Sequence, residues 1–208
     1  MTPDPSRPLV YLVTSGECEP DNFETSSARL IATVSAAVNA GVDLVQLREK
    51  RLSGRLLFDL TERLAELVRG SGTKLLVNDR FDIAMAAGAD GVHLTSTSMR
   101  PAVVRRCVPD SFLIGVSVHI GDELNVAGDG ADLAVFGPVF ATPGKGDGVA
   151  LKALSTACSV SQIPVIAIGG IDENNYRDVL GAGAAGFAAI RALNDTASMQ
   201  RILREVSQ

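Results

Sequence analysis

The stretch AGVDLVQL, residues 40–47, combines a small residue, a glycine and a run of aliphatic side chains. The same pattern returns as AGADGVHL (87–94), DGADLAVF (129–136) and AGAAGFAAI (182–190). Because glycine readily adopts the positive φ at which many helices end, each copy predicts a helix end followed by a buried strand. Each interval between copies has room for two strand–helix units, so the copies predict the even-numbered strands of a repetitive, closed barrel.

Eight short runs along the chain have the character of strands. They are LVYLV (9–13), DLVQL (43–47), KLLVN (74–78), GVHL (91–94), FLIGV (112–116), DLAVF (132–136), PVIAI (164–168) and GFAAI (186–190). Nearly all of their residues are apolar, which is typical of a parallel sheet covered on both faces. The segments between them have helical spacing of apolar residues, as in 55–68. The sequence therefore predicts a single (β/α)8 TIM barrel over residues 1–208, with residues 1–8 as a flexible N-terminal segment.

The composition excludes several classes of function. A net charge of −5 and an aromatic content of 4% argue against a nucleic-acid partner. The three cysteines form no CxxC pair, so neither a disulfide framework nor a zinc site is expected, and a reducing compartment fits best. No apolar run approaches the roughly 20 residues that span a bilayer. We expect a cytoplasmic protein without a membrane partner; a homo-oligomer is compatible with the sequence.

The carboxyl ends of the strands carry the candidate site, since barrels of this kind place their chemistry there. The substrate-binding candidates are Gln46, Arg48, Lys50, Asn78, Ser117, Thr142 and Lys145. His119 is the candidate catalytic residue, because an imidazole can take up and return a proton near neutral pH. His93 is predicted instead to be a hydrogen-bonded structural histidine.

Each of these candidates has an ordinary structural alternative. The run from Arg48 to Lys50 is also compatible with a solvated group of charges. The segment NDR (78–80) is predicted to provide the N-cap of the helix that starts near Asp79, a function compatible with ligand contact. The segment GKGDG (144–148) is equally compatible with a plain flexible loop.

Two consecutive glycines, Gly169 and Gly170, follow the seventh strand. They allow backbone N–H groups to approach an anion closely, and a following helix adds its positive end. Barrels of this kind often hold a phosphate between the loops after strands seven and eight, which adds Arg191 and Ala192 to the predicted phosphate site. On this interpretation, a side chain at Gly170 would block the approach of the anion. The predicted ligand is a small phosphorylated molecule.

Several segments, taken in order, resemble the superfamily of thiamin phosphate synthases and TenI-type thiazole tautomerases. The matching segments are VQLREK, VNDRFDIAMAAGADGVHL, IGVSVH, ADLAVFGPVFAT and IPVIAIGGI. The resemblance extends from about residue 10 to residue 205. It implies an enzyme of thiamine biosynthesis whose ligand is a thiazole phosphate.

The resemblance leaves two activities open. The synthase couples a pyrimidine pyrophosphate to the thiazole phosphate, with Mg²⁺ on the departing pyrophosphate and two acids in the family pattern. Asp79 matches the first acid, but Ser98 stands where the second should fall, and the pattern Thr-x-Thr-Lys is replaced by TPGK (142–145). The segment STSMRP (96–101) instead resembles the tautomerase, which needs no metal.

These departures favour a metal-independent thiazole tautomerase without a cofactor, in which His119 transfers the proton. The alternatives are a synthase, in which Asp79 would bind Mg²⁺, and a regulator that binds the phosphorylated ligand without chemistry.

Overall fold

The computed structural model describes residues 7–119, 129–141 and 150–206. Its eight strands are all parallel and are hydrogen-bonded in sequence order. They are β1 Leu9–Val13, β2 Leu44–Leu47, β3 Lys74–Asn78, β4 Gly91–Leu94, β5 Leu113–Val118, β6 Leu133–Phe136, β7 Val165–Ile168 and β8 Gly186–Ala189. Strand β1 pairs with β8, with Leu9 opposite Gly186, and this pairing closes the barrel. The predicted TIM barrel is confirmed.

Helices follow the strands and cover the outside of the barrel. They are α1 Phe23–Ala40, α2 Gly54–Val68, α3 Phe81–Ala86, α4 Pro101–Arg105, α5 Ala150–Val160, α6 Tyr176–Gly181, α7 Arg191–Asn194 and α8 Thr196–Val206. A 3₁₀ turn, Pro20–Asn22, precedes α1. Helix α2 begins after Ser53, whose hydroxyl accepts a hydrogen bond from the Leu56 N–H, and buries the predicted apolar face. In the described part of the chain, no helix is long and apolar enough to cross a membrane.

The strands separate two apolar layers, which explains why their sequences do not alternate with polar residues. Side chains such as Tyr11, Leu76 and Ile166 fill the inside of the barrel. Their neighbours Leu12, Leu75 and Ala167 point outward and pack beneath the helices. Both faces of each strand are therefore buried.

The four glycines of the repeated pattern all have positive φ. Gly41, Gly88, Gly130 and Gly183 have φ of 85°, 75°, 92° and 98°. Each precedes an even-numbered strand, as the sequence predicts, and the Gly41 N–H donates to carbonyls in the last turn of α1. The pattern thus fixes where a helix ends and the chain turns back into the barrel.

Candidate active site

A cavity of about 1010 Å³ opens at the carboxyl ends of the strands. Ten of the predicted site residues line it: Gln46, Arg48, Lys50, Asn78, Ser117, His119, Gly169, Gly170, Arg191 and Ala192. Thr142 and Lys145 lie outside the described residues. Asp79 directly follows the lining residue Asn78 and has an exposed side chain. The barrel therefore brings most of the candidates around one cavity, while their roles in binding stay predictions.

The charged run after β2 is divided between the cavity and the protein interior. Arg48 is half-buried and Lys50 is exposed, and both line the cavity. Glu49, between them, is only 3% exposed and faces away from the cavity into hydrogen bonds with the loop after β1. The run therefore places two cationic side chains at the cavity and takes the carboxylate out of it.

The floor of the cavity is built from polar side chains on the inner face of the barrel. The Nε2 atom of His93 lies 2.9 Å from the Ser117 hydroxyl, and the Gln46 amide donates to the Tyr11 hydroxyl at 3.3 Å. Tyr11 and His93 also meet edge to face. Burial raises the pKa of Tyr11, so its hydroxyl stays protonated near neutral pH. These contacts fix the floor as a set of neutral hydrogen-bonding groups.

His93 is held neutral by its surroundings. Burial, and secondarily the positive charge of Arg48, lowers the pKa of His93 to about 4. Its Nδ1 atom has no hydrogen-bond partner in the described part of the chain. Charging this ring would place a cation in a buried position beside a guanidinium. His93 is therefore unsuited to acid–base chemistry near neutral pH, as expected for a hydrogen-bonded histidine.

The low pKa of His93 predicts a specific loss of stability in acid. Between pH 6.5 and 4 the unfolded chain binds a proton that the folded protein does not, so stability is complete above pH 6.5 and falls as the pH approaches 4. The contribution is at most about 3 kcal/mol. Urea unfolding at pH 7 and pH 4.5 should show this loss, and His93→Gln, which retains an amide for Ser117, should reduce it. An equal loss of stability in both proteins would exclude His93 as its source.

His119 lies at the mouth of the cavity, one residue beyond β5. Its Nδ1 atom donates to the Gly137 carbonyl at 2.7 Å, because a carbonyl oxygen can only accept. This contact orients the ring and assigns the proton of the neutral form to Nδ1. The side chain is exposed, in contrast to that of His93.

The two glycines after β7 form a backbone cradle. Gly169 and Gly170 have φ of 104° and 65°. The N–H groups of Gly169, Gly170 and Ile171 donate to no acceptor among the described residues. The start of α7 adds the first N–H groups of a helix, at Arg191 and Ala192. Several uncommitted donors at one cavity edge are suited to a phosphate.

A side chain at Gly170 would also meet the protein itself. A Cβ there would lie 2.8 Å from both the Ala141 carbonyl oxygen and the Phe140 Cβ. At Gly169 it would lie 2.5 Å from Pro138. The close packing of the loop after β6, which holds the cradle in place, thus requires both glycines independently of any bound anion.

The two positions at which the family pattern has acids are Asp79, after β3, and Ser98, after β4. Asp79 has a positive φ of 66°, an uncommon conformation for a residue with a side chain, and its N–H donates to the His93 carbonyl at 2.9 Å. The N-cap of α3 is Arg80, which lies in the predicted segment NDR but makes no side-chain capping bond. The Ser98 hydroxyl accepts from the Thr95 N–H at 2.7 Å and closes a tight turn after β4.

Part of the cavity rim comes from residues that the sequence did not single out. Glu173 forms an ion pair of 2.8 Å with Arg201, and the Ser198 hydroxyl donates to the same carboxylate at 3.2 Å. All three line the cavity. Ser198 and Arg201 belong to α8, which does not directly follow a strand end. Inspecting the strand ends therefore could not find them.

Comparison with known proteins identifies the family. The family model described as "Thiamine monophosphate synthase" matches residues 10–193. The chain belongs to this family. A thiamine-phosphate synthase of Methanoculleus marisnigri is 39% identical over 203 residues, which cover 94% of this chain and 93% of the relative. The thiamine-phosphate synthase of Chloroflexus aurantiacus is 40% identical over 180 residues, 83% of each chain.

A solved structure shares the fold of this chain over nearly its whole length. It is the thiamine phosphate pyrophosphorylase from Pyrococcus furiosus, with a TM-score of 0.81 and 29% sequence identity. The match covers 98% of this chain and 99% of that one. The barrel therefore has no large insertion or deletion relative to that structure.

The favoured prediction of a thiazole tautomerase, an isomerase, is wrong. The relatives of Methanoculleus and Chloroflexus are named thiamine-phosphate synthases, which are transferases and correspond to the second alternative. The prediction gave too much weight to the neutral residue at Ser98. A magnesium site needs only one or two protein carboxylates when substrate phosphates complete it, so one missing acid does not exclude the synthase.

Proposed function

We propose that the protein is a thiamine-phosphate synthase, which couples a pyrimidine pyrophosphate with a thiazole phosphate. The observation that supports this proposal is that two separate sets of groups suited to anions lie at one cavity. Arg48 and Lys50 provide cationic side chains after β2, and Gly169 and Gly170 provide backbone donors after β7. An enzyme that joins two phosphorylated molecules needs both regions, and the cavity of about 1010 Å³ is at the upper end of the usual range for ligand pockets.

The two regions suit different parts of the substrates. A pyrophosphate carries several negative charges and favours charge-assisted hydrogen bonds from Arg48 and Lys50, with Thr142 and Lys145 as further predicted contacts. The single phosphate of the thiazole suits the backbone cradle and the N–H groups of Arg191 and Ala192. Gln46, Asn78 and Ser117 then face the space between the two anions, where they can orient the rings by hydrogen bonds.

The residues present fit a magnesium ion held partly by the substrate. Among residues 7–119, 129–141 and 150–206, no cluster of three or more acidic, histidine or cysteine side chains could hold a metal ion alone. Asp79 offers one exposed carboxylate beside the cavity residue Asn78, and Mg²⁺ commonly combines one such ligand with substrate phosphates and water. When bound, the ion would supply positive charge to the departing pyrophosphate.

The main contribution of the chain to the reaction is to position the two substrates and to stabilise the leaving group. As the new carbon–nitrogen bond forms, the carbon–oxygen bond to pyrophosphate breaks, and the leaving group departs with the electron pair. Arg48 and Lys50 stabilise the charge that develops on it. The neutral floor around His93 and Ser117 offers hydrogen bonds without adding charge at the reacting ring. His119 donates from Nδ1 to the Gly137 carbonyl and stands at the mouth; its Nε2 can donate to the same leaving group only when the ring is an imidazolium.

The proposed function is tested by one coupled assay. The purified protein is incubated with hydroxymethylpyrimidine pyrophosphate, thiazole phosphate and Mg²⁺, and thiamine phosphate is measured by chromatography. We expect steady formation of thiamine phosphate that EDTA abolishes and added Mg²⁺ restores. Binding of both substrates without product would favour a regulator. Turnover of a carboxylated thiazole phosphate in EDTA, without thiamine phosphate, would contradict the synthase.

The cytoplasmic location and the homo-oligomer stay predictions. All three cysteines are free, and Cys18 is buried while Cys107 is exposed. Free thiols of this kind support a reducing compartment.

A further inference from the structure

Glu49 is a buried carboxylate whose partners are all neutral. It is 3% exposed, and in the described part of the chain no basic side chain lies within ion-pair distance of it. Its Oε1 atom accepts from the Thr14 hydroxyl at 2.6 Å and from the Gly16 N–H at 3.1 Å. Its Oε2 atom accepts from the Cys18 N–H at 2.8 Å. A buried charge of this kind is costly unless such hydrogen bonds are all made.

These hydrogen bonds tie the loop after β1 to the end of β2. The Thr14 hydroxyl donates to Glu49 and also accepts from the Arg48 N–H at 2.9 Å. The loop passes directly over Arg48, because a Cβ on Gly16 would lie 3.5 Å from the Arg48 carbonyl oxygen and 3.9 Å from its Nη1 atom. We call the set of Thr14, Gly16, Cys18 and Glu49 the β1–β2 latch. The latch thus holds the Arg48 N–H through Thr14 and places Gly16 close to the Arg48 carbonyl.

We propose that Glu49 is a positioning residue for the pyrophosphate, acting through the β1–β2 latch on Arg48 and Lys50. Its neighbours on both sides line the cavity, while Glu49 is anchored in the opposite direction. Anchoring the middle residue of the run holds the two flanking cations toward the cavity. A long side chain held in place loses less conformational freedom when it binds an anion. This inference rests on the proposed function, since the pyrophosphate is its ligand.

Charge and geometry predict opposite effects for a neutral residue at position 49. Glu49 is a negative charge close to an anion site, so by Coulomb's law alone its removal should strengthen pyrophosphate binding. If the latch is what matters, Glu49→Gln should weaken binding instead. The amide group of glutamine would turn an N–H donor toward the Cys18 N–H and lose that hydrogen bond. The sign of the change therefore separates the two effects.

The experiment uses a matched pair at Thr14 together with Glu49→Gln in the full-length protein. Thr14→Val keeps the shape and removes the hydroxyl that bridges Glu49 and Arg48, whereas Thr14→Ser keeps the hydroxyl. Calorimetry with inorganic pyrophosphate should give a Kd roughly tenfold higher for Thr14→Val and Glu49→Gln, the change expected from one misplaced charge-assisted contact. Thr14→Ser should bind like the wild type.

Steady-state kinetics provide a measurement that a general loss of stability would not reproduce. The KM for the pyrimidine pyrophosphate should rise in Thr14→Val and Glu49→Gln, while the KM for the thiazole phosphate, bound at the cradle, should stay unchanged. Hydrogen exchange should be faster at the amides of Gly16, Cys18 and Arg48 in Thr14→Val than in Thr14→Ser.

Four results decide the inference. Unchanged or tighter pyrophosphate binding in Thr14→Val and Glu49→Gln would overturn it. An equal rise in both KM values would reduce the latch to a structural role and would also overturn it. A wild-type protein that binds pyrophosphate but forms no thiamine phosphate would overturn the proposed function alone, and the binding comparison would still decide the latch. A wild-type protein that binds no pyrophosphate would overturn both.

Discussion

Replacing Asp79 with asparagine is expected to lower kcat/KM for thiamine phosphate formation by about 10²- to 10³-fold, since a metal contributes several kcal/mol to stabilising transition-state charge. Asparagine has the same shape and also tolerates the positive φ of 66° found at this position. The substitution thus removes the negative charge with little change in the backbone. The measurement is the initial rate of thiamine phosphate formation as a function of Mg²⁺ concentration.

A matched control distinguishes this loss from a general effect of charge. Asp82→Asn makes the same chemical change three residues later, at an exposed carboxylate that pairs with Arg80 and, unlike Asp79, is not next to a cavity-lining residue. It should retain nearly wild-type activity. Both variants should melt within a few degrees of the wild type, because both side chains are exposed. Wild-type activity in Asp79→Asn at low Mg²⁺ would show that this carboxylate does not contribute to a metal site.

Ser98→Asp is the complementary change. One aspartate oxygen can accept the hydrogen bond that the Thr95 N–H now gives to Ser98, which leaves the second oxygen available as a hard, anionic ligand. The Mg²⁺ concentration that gives half-maximal activity should therefore fall.

The sequence predicts the fold well because its signals are local and repeated. The barrel requires a glycine with positive φ before each even-numbered strand, as at Gly41 and Gly183. It also requires strands that are apolar on both faces. Both requirements are visible in short stretches of the sequence. The strand ends are less well predicted. The run FLIGV suggests an end at residue 116, but β5 continues to Val118 because Ser117 pairs with Val135 of β6. Pairing with a neighbouring strand is not visible in a single run.

The activity could not be predicted in the same way, because a Mg²⁺ site of this kind takes some of its ligands from the phosphates of the substrate. Ser98 shows only that one protein carboxylate is absent, whereas the number of ligands needed depends on the phosphates that bind. The rim at Glu173 and Arg201 joins loop and helix residues that are far apart in the sequence. The direction of Glu49 depends on Thr14 and Cys18, which belong to another strand end. Such contacts arise only when the barrel closes.

Gly170→Val is expected to weaken both the fold and the phosphate site. Valine is strained at a φ of 65°, and its Cβ would lie 2.8 Å from the Ala141 carbonyl oxygen and the Phe140 Cβ. We expect the free energy of unfolding to fall by about 2–4 kcal/mol, from backbone strain and overpacking together. Because the loop must move, the N–H groups of the cradle are misplaced, and the KM for thiazole phosphate should rise about 100-fold, the loss of about two charge-assisted hydrogen bonds.

Gly181→Ala is the control for this substitution, because Gly181 lies at the end of α6 with no atom within 4 Å of the added Cβ. It should leave the KM unchanged and alter stability by less than about 1 kcal/mol. Urea unfolding and calorimetry with inorganic phosphate, both below the melting transition, measure the two effects of Gly170→Val separately. A large loss of stability with unchanged phosphate affinity would mean that the glycines serve only the packing against Phe140, and that the phosphate binds elsewhere in the cavity. A loss of both stability and phosphate affinity would show that the close packing of Gly170 against Phe140 and Ala141 also positions the N–H groups of the cradle for the phosphate.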